Sequence, residues 1–327
     1  MNVVVTGCAG FIGRNVSSKL ISEGNIVIGI DDLNDAYDVR LKKWRLDSLQ
    51  GMDGFKFHQL DIRDMAGLEK CLGEYQKRSS IDAVINLAAR AGVRQSVIDP
   101  WIYYQTNVLG TLNLLEICRN SGINKFVLAS SSSVYGDTKV MPFKEDCNTE
   151  NCLSPYAASK KAAEVLAHSY HFLYKLDITV LRYFTVFGPA GRPDLSIFKF
   201  IKQISEGEEI TVYGDGSQTR DFTYVEDIAR GTISAIKPLG FEIINLGSDH
   251  PWKLADIIEI IENQLGQKAK KLYTPAHPAD VPATWADISK AKGLLDWEPK
   301  IGAEEGIQNT IKWYNENRNW AKLVTAK

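Results

Sequence analysis

Apolar positions along this chain cluster into short runs of strand length, separated by longer stretches with helical spacing. The runs are Val3–Val5, Ile26–Ile30, Phe55–Gln59, Ala83–Leu87, Phe126–Ala129 and Ile178–Tyr183. Nearly continuous apolar strands are buried on both faces, unlike the in–out alternation of a strand with one wet side. Amphipathic stretches near residues 11–22, 64–78, 101–121 and 154–175 lie between them. This alternation predicts an α/β fold, a doubly wound parallel sheet covered by helices on both faces, over residues 1–185. Beyond residue 188, Pro189, Gly191, Pro193 and the Gly214–Ser217 turn break the pattern into short pieces. Helices are expected near 195–206, 225–236, 253–265, 288–294 and 303–318. Residues 186–327 are therefore expected to form a smaller, mixed α/β part, with segments near 225–247 returning to the first.

In an open parallel sheet, ligands gather beyond the carboxyl ends of the strands. Asp31, Asp61, Asn86 to Ala89, Ser130 to Ser133 and Tyr183 to Thr185 all follow expected strand ends. The first such turn is TGCAGFIG, Thr6 to Gly13, with Gly7, Gly10 and Gly13 spaced along it and Phe11 and Ile12 opening a helix. Glycine there permits a tight turn and close approach of a pyrophosphate, which the free N–H groups at the helix start would meet. The next apolar run ends in Asp31 and Asp32, at the distance expected of a carboxylate that binds ribose hydroxyls. No arginine or lysine stands beside Asp31 in the sequence, and a carboxylate there repels a 2′-phosphate. NAD is therefore expected rather than NADP.

The serine run Ser130 to Ser133 is followed by SPYAASK, Ser154 to Lys160. Tyr156 and Lys160 are four apart on an expected helix and share a face. A nearby ammonium stabilises a phenolate, so Lys160 is expected to lower the Tyr156 pKa and let it exchange protons with an alcohol. Ser131 would hold the same oxygen. Alone, a serine run after a strand is a loop or a helix cap, and a Tyr-x-x-x-Lys spacing is commonly surface decoration. Their order beside a dinucleotide turn favours catalysis.

Composition narrows the classes. At 327 residues, 44% hydrophobic and 24% charged, the chain is an ordinary globular one. A formal net charge of −2 gives no global attraction to nucleic acid or to a membrane surface. The N-terminus enters a strand directly, and no apolar run reaches spanning length, so neither signal peptide nor membrane anchor is expected. Cys8, Cys71, Cys118, Cys147 and Cys152 form no CxxC pair and are expected as reduced thiols of a cytosolic protein. His168 and His171 have metal-ligand spacing but no third ligand, so packing is expected and no metal.

Taken together, TGCAGFIG, LDIRD (Leu60 to Asp64), NLAARAGVR (Asn86 to Arg94), SSSSVYG, YAASK, RYFTVFGP (Arg182 to Pro189) and RDFTYVEDIA (Arg220 to Ala229) resemble the extended short-chain dehydrogenase/reductases, the sugar-nucleotide epimerases and dehydratases. The likeness runs over nearly the whole chain. It implies a Rossmann-type domain with NAD held by Gly7, Gly10, Phe11, Ile12, Gly13, Asp31 and Asp32. It implies Asp61 and Ile62 near the adenine, and Leu87, Ala88, Ala89 and Asn107 along the dinucleotide. Tyr183 would pack near the nicotinamide, Arg220 would hold the nucleotide diphosphate, and Asp280 would meet the nucleoside. It also implies pairing of two long helices across a homodimer axis.

Dehydratases of that family follow the serine or threonine with Asp-Glu, and its decarboxylases place a Glu there. This chain has Ser131, Ser132 and Ser133, so 4-epimerisation through a keto sugar is expected. Within the family, GIDDLNDAYD, AGVRQS and Arg182 to Phe200 look most like the epimerases of UDP-glucuronate, although Ala36 and Ala190 replace commonly aromatic positions. Ser132, Ser133, Thr185 and Arg192 would then clamp a sugar carboxylate. Arg192 could instead simply pair with Asp194. The alternatives are a UDP-glucose or UDP-N-acetylglucosamine 4-epimerase, a decarboxylase, a 4,6-dehydratase, and a non-catalytic NAD sensor or scaffold.

Overall fold

The computed structural model describes residues 1–275 and 281–325. The strands in chain order are β1 (Asn2–Thr6), β2 (Ile26–Asp31), β3 (Phe55–Gln59), β4 (Ala83–Asn86), β5 (Lys125–Ser131), β6 (Asp177–Tyr183), β7 (Thr185–Phe187), β8 (Glu209–Tyr213), β9 (Thr219–Tyr224), β10 (Phe241–Leu246), β11 (Pro251–Lys253) and β12 (Lys270–Thr274). Seven form one sheet in the order β10-β6-β5-β4-β1-β2-β3. Every pairing in it is parallel. Strand order reverses between β1 and β4, the crevice where open α/β sheets bind ligands. Val3, Val4, Val5, Val84, Ile85, Val127 and Val180 are fully buried, because helices cover both faces. The remaining strands form a three-stranded sheet, β11-β9-β7, and the parallel pair β12-β8. They enclose a second core built on Phe198, Ile201, Ile257, Ile307 and Trp313.

Local signals explain the helix boundaries. Asp64 accepts from Gly67 N and starts Met65–Arg78, while Ser154 accepts from Ala157 N and starts Pro155–Tyr174, with proline in its first turn. Two expectations need correction. The helix Val39–Gln50 is not among those expected, and its buried face explains why: Leu41, Lys42, Arg45, Leu46 and Leu49 alternate apolar and charged residues. The stretch expected as one helix over 101–121 is Pro100–Tyr103, a π-helical segment Tyr104–Leu109, and Gly110–Ser121. The wider turn carries Asn107, whose amide bonds Arg90 and Ser159. His168 and His171 both pack on Phe241, as expected for packing histidines. All five cysteines are free thiols, and no described helix is long and apolar enough to cross a membrane.

Candidate active site

The glycine turn has no space for side chains. Gly7 has φ +69°, and a Cβ there would lie 2.8 Å from Ala88 N; one on Gly13 would lie 2.0 Å from Gly7 O. The helix Phe11–Ser22 starts at Gly10 with no side-chain cap, so the N–H groups around Phe11, Ile12 and Gly13 face the crevice without a capping acceptor from Gly10. That arrangement fits a pyrophosphate. Asp31 is buried at the end of β2 and accepts from Ala9 N at 3.1 Å and Leu33 N at 2.8 Å. It also has a cation. Lys42 Nζ lies 3.4 Å from Asp31 and 3.9 Å from Asp32, which corrects the expectation that no lysine stands beside Asp31. Lys42 reaches it from the helix that the sequence pattern concealed. Two carboxylates against one ammonium still disfavour an added phosphate.

Other expected dinucleotide residues fall into two groups. Leu87, Ala88 and Ala89 follow β4 against the glycine turn, with Ala88 N bonded to Thr6 Oγ1 at 3.2 Å. Asp61 is half-buried and gripped by Arg63, whose guanidinium holds its carboxyl below the ordinary range against the opposing effect of burial. Ile62, Asn107 and Tyr183 are enclosed. Ile62 packs into the core against Gly110, and its carbonyl accepts from Asn113 Nδ2 at 2.9 Å. Asn107 is 2% exposed with its amide bonded to Arg90 and Ser159, and so shapes the loop after β4. Tyr183 directs its hydroxyl to Thr232 at 2.8 Å.

Ser131, at the end of β5, and Tyr156, in the first turn of Pro155–Tyr174, come together. Burial raises the Tyr156 phenol, while a hydrogen bond with Ser131 and the charge of Arg192 lower it. Lys160 donates to Ala129 O at 2.8 Å, and burial pushes its ammonium down to about 8 despite Glu164 one turn on. The charge of Arg192 thus also acts on Tyr156, a contribution that the Tyr-x-x-x-Lys spacing does not announce. Ser133 N and Oγ both lie 3.2 Å from Ser131 Oγ, which orients the hydroxyl. Ser132 opens the short helix Ser132–Tyr135 beside them. Tyr103 packs edge-on to Tyr156, 6.1 Å between centroids.

Thr185 and Arg192 line one small cavity with Phe11 and Phe198. Arg192 forks Asp194 at 3.0 and 2.5 Å and donates to Ala91 O, so the pairing expected as its simpler role is made. Arg220 lies on β9 and donates to Thr219 O and Pro282 O. Asp280 lies outside the described residues.

Comparison with known proteins now bears on this geometry. The family model described as GDP-mannose 4,6 dehydratase matches residues 4–310. The chain belongs to this family. A UDP-glucuronate 4-epimerase of Thermodesulfobacterium geofontis is 56% identical over 98% of both chains. The crystal structure of UDP-glucuronic acid 4-epimerase from Bacillus cereus, in complex with UDP-glucuronic acid and NAD, matches with TM-score 0.90 and 37% identity over 97% of this chain and 100% of that one. UDP-glucose 4-epimerase from Thermotoga maritima, with UDP-glucose, matches with TM-score 0.89 and 32% identity over 97% and 100%.

Four side chains around the site escaped the sequence reading. Lys42 and Arg45 sit on a helix whose charged residues face inward. Glu164 forms a buried, bidentate pair with Arg182 and accepts from Ser130 at 2.6 Å, directly behind Ser131. Its position four residues after Lys160 was the available signal. Tyr37 contributes a hydroxyl to Arg45 at 2.6 Å.

Proposed function

We propose that this chain catalyses the NAD-dependent 4-epimerisation of UDP-glucuronate to UDP-galacturonate through a transient 4-keto sugar. The observation that carries it is the meeting of Ser131, at the carboxyl end of β5, with Tyr156, beside an uncapped glycine turn. The glycine turn Gly7 to Gly13 and Asp31 would hold NAD⁺, which would supply the oxidant and return the reducing equivalent. Tyr156 takes the 4-hydroxyl proton and later restores it, and Ser131 holds the 4-oxygen. Lys160, buried under the strand end, would offer its ammonium to the ribose of a bound nicotinamide nucleotide. Ser132, Ser133, Thr185 and Arg192 offer hydroxyl and guanidinium donors to the sugar carboxylate, and Arg220 offers a charge to the diphosphate. A 4-keto uronate is a β-keto acid; holding its carboxyl out of line with the carbonyl π system protects it from losing CO₂. No carboxylate occupies 131–133 to remove water or drive decarboxylation.

The division into residues 1–185 and 186–327 belongs to the same proposal, with 225–247 returning to the first part. So does a cytoplasmic setting, which five free thiols suit. So does a homodimer, for which Trp101, Leu109, Val165 and Phe172 are more than half exposed on the two long helical segments. Incubating UDP-glucuronate with the purified protein and resolving the products tests the activity. UDP-galacturonate is expected; a pentose nucleotide, or inert UDP-glucuronate beside brisk UDP-galactose turnover, overturns it.

A further inference from the structure

Arg45 is 1% exposed, yet none of its hydrogen-bond acceptors is a carboxylate. Its Nε and Nη2 fork Ala190 O at 3.1 and 2.6 Å, and Nη2 also reaches Gly191 O at 3.2 Å. Its Nη1 donates to Tyr37 Oη at 2.6 Å and Ala9 O at 3.4 Å. The rings of Phe11 and Tyr37 flank it at 5.9 and 5.5 Å. One buried cation therefore ties the glycine-rich turn, through Ala9, to the turn that precedes Arg192.

That turn needs holding. Ala190 has φ +52°, a conformation that a residue with a Cβ adopts only when its surroundings impose it. The fork on its carbonyl is the evident constraint. Core filling alone would be served better by an apolar side chain, since a buried charge must be desolvated. Downstream, Arg192 leaves the turn, forks Asp194 and donates to Ala91 O in the loop after β4.

We propose that Arg45 is the positioning residue that makes the site selective for an acidic sugar: it clamps Ala190 and Gly191 to the glycine-rich turn and so fixes Arg192 against Ala91 at the crevice. This rests on the functional reading above. A guanidinium is required because a lysine cannot fork one carbonyl while reaching three other acceptors.

The test uses full-length protein with its NAD. KM and kcat for UDP-glucuronate, the inhibition constant of UDP, and bound NAD are measured in wild type, Arg45→Gln, Arg45→Lys, Arg192→Gln and the Arg45→Gln/Arg192→Gln double variant. Arg45→Gln should raise KM for UDP-glucuronate about tenfold while the UDP constant moves less than about twofold, with Arg45→Lys between. In the Arg192→Gln background the same change should add less than about twofold, because the two act in series. Equal weakening of UDP and UDP-glucuronate, or multiplicative effects in the double variant, overturns the proposal. If Arg45→Gln does not fold, Tyr37→Phe removes one acceptor from the same guanidinium; it should raise the UDP-glucuronate KM at least about twofold at constant UDP affinity, and no change overturns the proposal. A wild type inert on UDP-glucuronate brings down the functional reading and this proposal with it. A working wild type with a wild-type-like Arg45→Gln brings down this one alone.

Discussion

Burial sets the protonation chemistry of Lys160 and Tyr156 before any ligand arrives. The Lys160 ammonium falls from 10.5 to about 8 because it is desolvated under β5. Between those values the unfolded chain binds a proton that the native chain lacks, so the native state carries a penalty below pH 8 that fades as pH rises toward 10.5. Lys160→Met should therefore raise the stability of ligand-free protein at pH 7 by about 3 kcal/mol, with the gain shrinking toward pH 10, by calorimetry. Activity should be lost in the same variant, the cost expected at a functional site. Tyr156→Phe should lower kcat about 10³-fold while UDP binding is retained, in steady-state kinetics and titration calorimetry. Arg192 pulls the Tyr156 phenol down. Removing that charge in Arg192→Gln raises the phenol pKa, so the acidic limb of kcat/KM should move to higher pH. An unmoved limb would separate Arg192 from the tyrosine.

At the level of elements, two helices deliver the site, and they differ in how visibly the sequence announces them. Pro155–Tyr174 has a serine cap and a proline in its first turn, so Tyr156 and Lys160 could be read directly onto it even though its buried face includes Ser159, Lys160 and Glu164. Val39–Gln50 buries Lys42 and Arg45, and inward-facing charge erases the apolar stripe on which such reading depends. The partners of Arg45 compound this, since Ala190 is 145 residues away in sequence and only folding brings it near. Strands β1 to β6 were legible to within about a residue or two at each end, because burial on both faces leaves continuous apolar runs, whereas β7 to β12, including β10 of the main sheet, were not among the expected runs. Behind the catalytic helix, Glu164 binds Arg182 of β6 and Ser130 of β5 with no solvent access. Glu164→Gln leaves a buried guanidinium without its counter-charge and should destabilise by about 3–5 kcal/mol in denaturant unfolding. A change under 1 kcal/mol would mean that the pair contributes little.

The whole molecule presents an apolar stripe on its outer helices. Val165 and Phe172 are seven apart on one helix and more than half exposed, as are Trp101 and Leu109 on its neighbour. Sedimentation of wild type should give a dimer, and Leu109→Glu with Val165→Glu should give a folded monomer with unchanged near-UV dichroism. A wild-type monomer would leave the stripe needing another partner. The strand β10 bears on how the molecule is made. It pairs with β6 along the sheet's outer edge, yet it is Phe241–Leu246, far beyond the other six strands. During synthesis β6 therefore waits with an open row of backbone donors and acceptors while more than fifty further residues emerge. The nucleotide-binding sheet cannot finish first and the substrate part second, as a simple succession of domains would. The nascent chain spends that interval with a sticky edge, and conditions that stall translation between Tyr183 and Leu246 should favour aggregation over release of a folded fragment.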